Sequence, residues 1–340
     1  MEIYNSSIEA MAEPSIDVAR IKFNLRPQEN KSEITTNQES SFVITGRQLF
    51  TQLEEYAGLR LSGVLNLKDD LEDVESTTHI TLDKGGVACG IESIRAEMGG
   101  FVIASQDYGL LKTVMKDLEG DPTYGGSTGL LLEGNSHRAH GSKLEYAVAA
   151  GGAVTKQSID FNIKLENNFL SNIRTNIPLE GSSSITLFIK WAPASRWGAW
   201  RTNLAQADGA VEIDDSSLYI TNLELQGYNL VFSPNIYNEL SSLYAPVGGG
   251  GAPVYKMKST HWDSTSTQIQ QGSTRGTVPI PFGVSSMIRV LAVHRRTADI
   301  SPLTYSLTAE TGVLPLSYGH HINGLKSYYF SLDGQKFPSQ

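Results

Sequence analysis

Apolar and polar residues alternate with a period of two through most of this chain, and that pattern predicts strands. In SIDVARIKFNL, Ile16, Val18, Ile21 and Phe23 mark a first strand, with one irregularity in the alternation. Phe42, Ile44 and Leu49 suggest a second strand, and Leu59, Leu61, Val64, Leu65 and Leu67 a third. The β-branched run Thr77–Leu82 ends in a turn at Lys84-Gly85-Gly86. Later candidates are Leu144–Ala149, Ile159–Leu165, Ile185–Trp191, Leu218–Phe232, Met287–Val293 and Tyr328–Leu332, the last turning at Asp333-Gly334. Two short stretches carry helical spacing instead. Ser105–Leu118 sets Leu110, Leu111, Val114 and Leu118 on one face, with Ser105 or Asp107 as the cap. Ser233–Tyr244 offers Ser233 or Asn235 as cap and Pro234 in the first turn. The pattern predicts an all-β fold with short helices in its connecting loops.

One apolar pattern occurs twice. Ile91, Ile94, Phe101 and Ile103 fall on Ile220, Leu223, Leu230 and Phe232 at a constant offset of 129 residues, and Tyr108, Leu111 and Val114 fall on Tyr237, Leu240 and Leu243. Each copy reads as one or two strands with a tight turn, at Gly99-Gly100 and at Gly227, running into a short helix. A repeat of this kind suggests two domains of one architecture, and 340 residues suit two cores of about 150 residues each. Asp121–His140 reads as an exposed loop, Val247–Pro253 as a flexible link, and the aperiodic Ala192–Gly209 as the crossing between domains. The expected division is a polar N-terminal arm at 1–14, a first domain at 15–200 and a second at 201–340.

Charge then narrows the functions. The net charge of −9, with no basic arm, argues against binding nucleic acid through its phosphates. Only 19% of residues are charged, which suits large buried or subunit-facing surfaces. The single cysteine, Cys89, excludes an intramolecular disulfide framework and a Cys-rich zinc site. Residues 1–14 lack the apolar centre of a signal peptide, and no run of 18 apolar residues could span a membrane. The sequon-like triplets at Asn5 and Asn30 fit the Ser/Asn-rich background.

Candidate chemistry is sparse. His137 and His140 form an HxxH pair, but in a Gly/Ser loop with no third ligand nearby. His320 and His321 are adjacent, so in a strand they point to opposite faces. The runs Gly85–Gly90 and Gly248–Gly251 lack the Lys-Ser/Thr of a P-loop and read as turns. The carboxylates of Leu67–Glu75 lack regular calcium-loop spacing and read as a solvated face. Trp191, Trp197 and Trp200 could stack on sugars or fill an interface. No nucleophile elbow is present, so no catalytic, cofactor-binding or metal-binding residue is assigned.

Three blocks in order carry a family resemblance. They are SIRAEMGGFVIASQDYGLLKTVM (93–115), FNIKLENNFLSNIRTNIPLEGSSSITLFIKW (161–191, with Pro178-Leu179 before its last strand) and VPIPFGVSSMIRVLAVHRR (278–296). YYFSLDGQKFPSQ (328–340) adds a strand and an Asx-Gly turn. Together these resemble the double jelly-roll major capsid proteins of tailless icosahedral DNA viruses, in particular the polinton-like virus and virophage group. The resemblance implies two jelly-roll β-sandwiches side by side. It implies homotrimers that pass for hexamers and tile an icosahedral shell, in a virion assembled inside the host cell. Its partners would be neighbouring capsomers, penton and minor capsid proteins and an internal membrane, with no cofactor and no direct nucleic-acid contact. The family usually continues beyond the final hairpin, so the second jelly roll is expected to lack its last strands or to receive them from another segment. The competing expectation is a carbohydrate- or receptor-binding β-sandwich of adhesin or fibre type, using Trp197, Trp200 and Trp262. A third, an enzyme on a cupin-like jelly roll, needs a close His/Glu metal set.

Overall fold

The computed structural model describes residues 18–46, 51–53, 58–67, 76–82, 86–109, 111–112, 115, 143–148, 154–156, 158–166, 168–172, 177–179, 184–204, 215–244, 259–260, 262–265, 267–270, 272–280, 289–291, 305–306, 327, 329–332 and 335–337. Its strands in chain order are β1 (Val18–Leu25), β2 (Glu33–Thr35), β3 (Glu39–Thr45), β4 (Thr51–Leu53), β5 (Arg60–Leu67), β6 (Ser76–Leu82), β7 (Ile91–Met98), β8 (Phe101–Asp107) and β9 (Lys143–Val148). They continue with β10 (Val154–Lys156), β11 (Ser158–Lys164), β12 (Ile177–Leu179), β13 (Ser184–Trp191), β14 (Gly198–Leu204), β15 (Leu218–Phe232), β16 (Tyr305–Ser306), β17 (Phe330–Leu332) and β18 (Gln335–Phe337). An α-helix, α1, spans Pro234–Tyr244.

Alternation becomes architecture because a strand presents successive side chains to opposite faces. Along β13 the buried residues are Ile185, Leu187, Ile189 and Trp191, and the residues between them are half-exposed. This strand lies in a four-stranded antiparallel sheet of order β3-β13-β7-β8. The larger sheet is built around β15. Strands β1 and β2 lie end to end along one side of β15, and β5 and β4 along the other. Strand β11 then flanks β5, and β12 flanks β4. Phe42, Ile44, Ile94 and Leu187 of the first sheet join Phe23, Leu61, Leu65, Ile163 and Leu225 of the second in one buried cluster. Two antiparallel sheets therefore share one dry core. With β1 and β2 counted as one line, four lines oppose four in the order of a jelly roll. The fold is an all-β jelly-roll sandwich.

Strand β15 departs from the pattern read in the sequence. It lies beyond residue 200 yet pairs with β1, β2, β4 and β5 inside the larger sheet of the sandwich. The chain does not turn at Gly227, because β15 runs unbroken for 15 residues. Glycine is needed there for close approach: a Cβ would collide with the Phe23 ring and lie 2.8 Å from Leu59 Cδ2. The irregularity in β15 falls at Asn222 instead, where φ is 53° and the register against β5 shifts between Thr221 and Glu224. This bulge changes the phase of burial, so Leu218 and Ile220 are followed inward by Leu223 and Leu225. The two copies of the 129-residue pattern thus occupy different places, a hairpin of β7 and β8 in one and a single strand in the other.

Other expectations meet the structure more directly. Gly99 and Gly100 make the β7–β8 turn at φ of 58° and 81°, a backbone that suits glycine. Helix α1 begins at Pro234 behind Ser233, whose carbonyl accepts from the Tyr237 amide at 3.0 Å. The helix expected from Ser105 starts later. Ser105, Gln106 and Asp107 pair with Arg95, Ile94 and Ser93 in β8, and helical residues appear from 109. The supposed crossing Ala192–Gly209 contains β14, which pairs with β6. Among the described residues after α1 the strands are β16, which runs parallel to β14, and the β17–β18 hairpin. The arm at 1–14, the loop Asp121–His140, the link Val247–Pro253 and most of Met287–Val293 lie outside the described residues.

If Gly227 serves packing, Gly227→Ala should destabilise the protein by about 1–3 kcal/mol, as over-packing of a core does. Urea denaturation measures this as a lower midpoint at unchanged slope.

Candidate functional site: the loop end of the sandwich

Strand register decides where the connections emerge. Leu67 at the end of β5 pairs with Leu218 at the start of β15, and Ser158 at the start of β11 pairs with Asn66. In the other sheet, the end of β13 lies against the starts of β3 and β7, and the end of β8 against the start of β7. A turn of three residues, Thr36 to Gln38, joins β2 to β3 and so aligns the two sheets. The connections β5–β7, β8–β11 and β13–β15 therefore all leave from one end. Each contributes to a third sheet of order β10-β9-β6-β14-β16. Three loops far apart in sequence thus fuse into one structured face.

A polar clip holds this end together. The Asp215 carboxylate accepts from Asn37 Nδ2 at 3.0 Å and from the Ala194 amide at 3.0 Å. Its carbonyl oxygen accepts from Thr36 Oγ1 at 2.8 Å. The β2–β3 turn, with Asn37 at φ 59°, is thereby tied to the chain on either side of β14. Backbone bonds reinforce the join: Asn37 N to Ala192 O, Trp191 N to Gln38 O and Ala192 N to Gly90 O.

Beneath the clip lies an aromatic plug. Trp191 and Trp197 are both fully buried and stack with ring centroids 5.7 Å apart. Their indole N–H groups are satisfied by Ser40 Oγ at 3.1 Å and Ala192 O at 2.9 Å. A 3-10 turn, Gly86–Gly90, is buried beside them, and its last glycine leaves no room for a Cβ against the Trp197 ring. Next to it, the chain after β8 folds inward. Tyr108 Oη donates to Lys164 O at 3.4 Å, and the buried Lys112 ammonium pairs with Glu166 at 3.2 Å. On the surface, Glu92 pairs with Lys190 at 2.7 Å and Arg196 at 3.2 Å. Such half-exposed pairs contribute about 0–1 kcal/mol each.

These placements settle part of the candidate chemistry. Trp191 and Trp197 are core residues and cannot stack on a sugar. Trp200 lies in β14, and Trp262 is half-buried in an extended segment. The buried turn Gly86–Gly90 faces Trp197 rather than solvent, so it is no phosphate cradle. Cys89 is buried. His137, His140, His320, His321, the carboxylates at 69–75 and Gly248–Gly251 lie outside the described residues. Among the described residues, no group of three or more His, Cys, Asp or Glu side chains converges on a metal position. The void lined by Ile94, Ala96, Ala104, Gln106, Phe169 and Leu187 measures about 10 Å³, room for at most one water. Asp215 and Asn37 are the residues that sequence reasoning missed. Their only signal was position: an Asx residue at a turn and another just ahead of a strand.

The class defined here is an all-β jelly roll with a side-chain-filled core and a loop-built face at one end. No protein-family model and no curated protein matches the chain. Matching solved structures are viral major capsid proteins. The Faustovirus major capsid protein aligns at 12% identity and a TM-score of 0.36, over 68% of this chain and 57% of that one. A quasi-atomic model of the PBCV-1 virus capsid aligns at 12% identity and a TM-score of 0.31, over 67% and 45%. The mavirus major capsid protein aligns at 11% identity and a TM-score of 0.28, over 66% and 48%. The alignments thus span about half the length of those chains.

Asp215→Ala should remove the carboxylate's contacts with Asn37 Nδ2 and the Ala194 amide and cost about 1–3 kcal/mol. Hydrogen exchange provides the check: the Ala194 amide should lose protection while β5 and β13 keep theirs.

Proposed function

We propose that this chain is a structural shell protein, the major capsid protein of a tailless icosahedral virus, and that it acts as a homotrimer. The observation that carries the reading is the polarity of the jelly roll. Its three long connections merge into one sheet at one end, leaving the sandwich sides for lateral contacts. A tile needs that division, with a structured exterior face and flat flanks. The resemblance blocks support it by position. Residues 93–115 hold most of β7 and all of β8, and residues 161–191 hold the end of β11 together with β12 and β13.

In this reading the residues after Phe232 build a second jelly roll beside the first. Three chains then present six similar domains and fill a near-hexagonal place in a shell. The fused sheet of β6, β9 and β14 faces outward. Neighbouring capsomers, penton proteins and minor capsid proteins meet the flanks, and an internal membrane lies beneath. The net charge of −9 leaves genome contact to other components. The chain carries no catalytic role in this reading; it works through shape and contact.

The mass of the purified protein in solution tests the proposal. A trimer of about 111 kDa, three times the 37.0 kDa chain, is expected, with larger arrays at high concentration. A monomer at all concentrations would overturn the proposal.

A further inference from the structure

The exposed large apolar side chains of the described residues gather mainly in two places. Phe101 (78% exposed) and Val102 (56%) sit at the start of β8, the edge strand of the four-stranded sheet. Ile269 (52%), Val278 (43%) and Ile280 (44%) sit in a polar segment that contains no strand. That segment is shaped all the same. The Ser273 amide donates to Gln270 O at 3.1 Å, and Gly272 follows at φ 83°, so the chain reverses direction. Gly276 returns against the Ile269 side chain, within 3.0 Å of a Cβ placed there. The segment is anchored where it leaves the body: Ser264 Oγ donates to the Asp107 carboxylate at the end of β8, and Asn172 Nδ2 donates to Thr260 O at 3.1 Å.

The two apolar patches belong to one chain but do not cover each other, since both remain exposed. Two complementary patches at different places on one molecule make a head-to-tail contact between copies, and such contacts close into rings when the rotation allows. Length agrees. From residue 264 to the turn at Gly272 an extended chain spans about 26 Å, against about 20 Å for β8. One side of β8 pairs with β7, and among the described residues no strand pairs with the other. An edge strand carrying exposed apolar residues offers a template for a partner strand.

We infer that residues 267–270 and 272–280 belong to an assembly arm that packs along β8 and its Phe101-Val102 tip on a second copy of this chain. The inference rests on the shell-protein reading and names its subunit contact. The arm brings Ile269, Val278 and Ile280 to Phe101 and Val102, and its polar Ser, Thr and Gln residues meet the open edge of β8.

Two variants with different affinity tags, Val102→Cys and Ile269→Cys, are co-expressed and treated with a short bismaleimide; the native Cys89 is buried and stays in place. The expected product is a covalent pair carrying both tags, and Phe101→Asp should weaken self-association by at least about tenfold. A protein that stays oligomeric by mass with no such pair, or a chain carrying both Val102→Cys and Ile269→Cys that cross-links only within itself, overturns the arm and leaves the shell reading standing. A monomeric wild type overturns both.

Discussion

The structure depends on one strand being paired along both of its edges. Strand β15 lies between β1 and β2 on one side and β5 and β4 on the other. It therefore joins two early segments of the chain, residues 18–35 and 51–67, that share no direct ladder. Its inward residues, Leu218, Ile220, Leu223 and Leu225, cover the core that the four-stranded sheet supplies from the opposite side. Without β15 the edges of β1 and β5 would stand open to water and to other chains. The Asn222 bulge keeps apolar residues inward along a strand long enough to pair with two partners in succession on each side. Gly227 lets Phe23 and Leu59 close over the strand's second half.

From that closure the loop-built face follows. With β15 in place, the sheets align so that three long connections leave at one end and assemble into a sheet of their own. Asp215 stands just before β15 and fastens the β2–β3 turn to the β13–β14 corner. The paired tryptophans fill the space beneath. The consequence is one hydrogen-bonded sheet rather than a set of independent loops.

The strands were legible because each half-buried strand writes its burial into the sequence, as Ile185, Leu187, Ile189 and Trp191 do in β13. Strand membership was not. Nothing local in Leu218–Phe232 tells which sheet it enters, because that depends on pairing with residues about 150 to 210 positions earlier. Gly227 misled because a glycine required by a neighbour's ring looks the same in sequence as one required by a turn. The bulge did leave a trace: Ile220 and Leu223 are three apart in a strand that otherwise alternates by two. Trp191 and Trp197 were readable as interface or stacking residues until their burial and satisfied N–H groups placed them in the core. The Asp215 clip had no periodicity to betray it, since a capping carboxylate depends on where distant backbone groups converge.

Native-state hydrogen exchange across a denaturant series tests most directly the claim that β15 closes the sandwich. The account predicts that the amides of residues 219–231 open with the same free energy and denaturant dependence as those of β1 and β5, as one cooperative unit. If β15 opened separately while β1 and β5 stayed protected, the strand would belong to another unit, and the architecture described here would be contradicted.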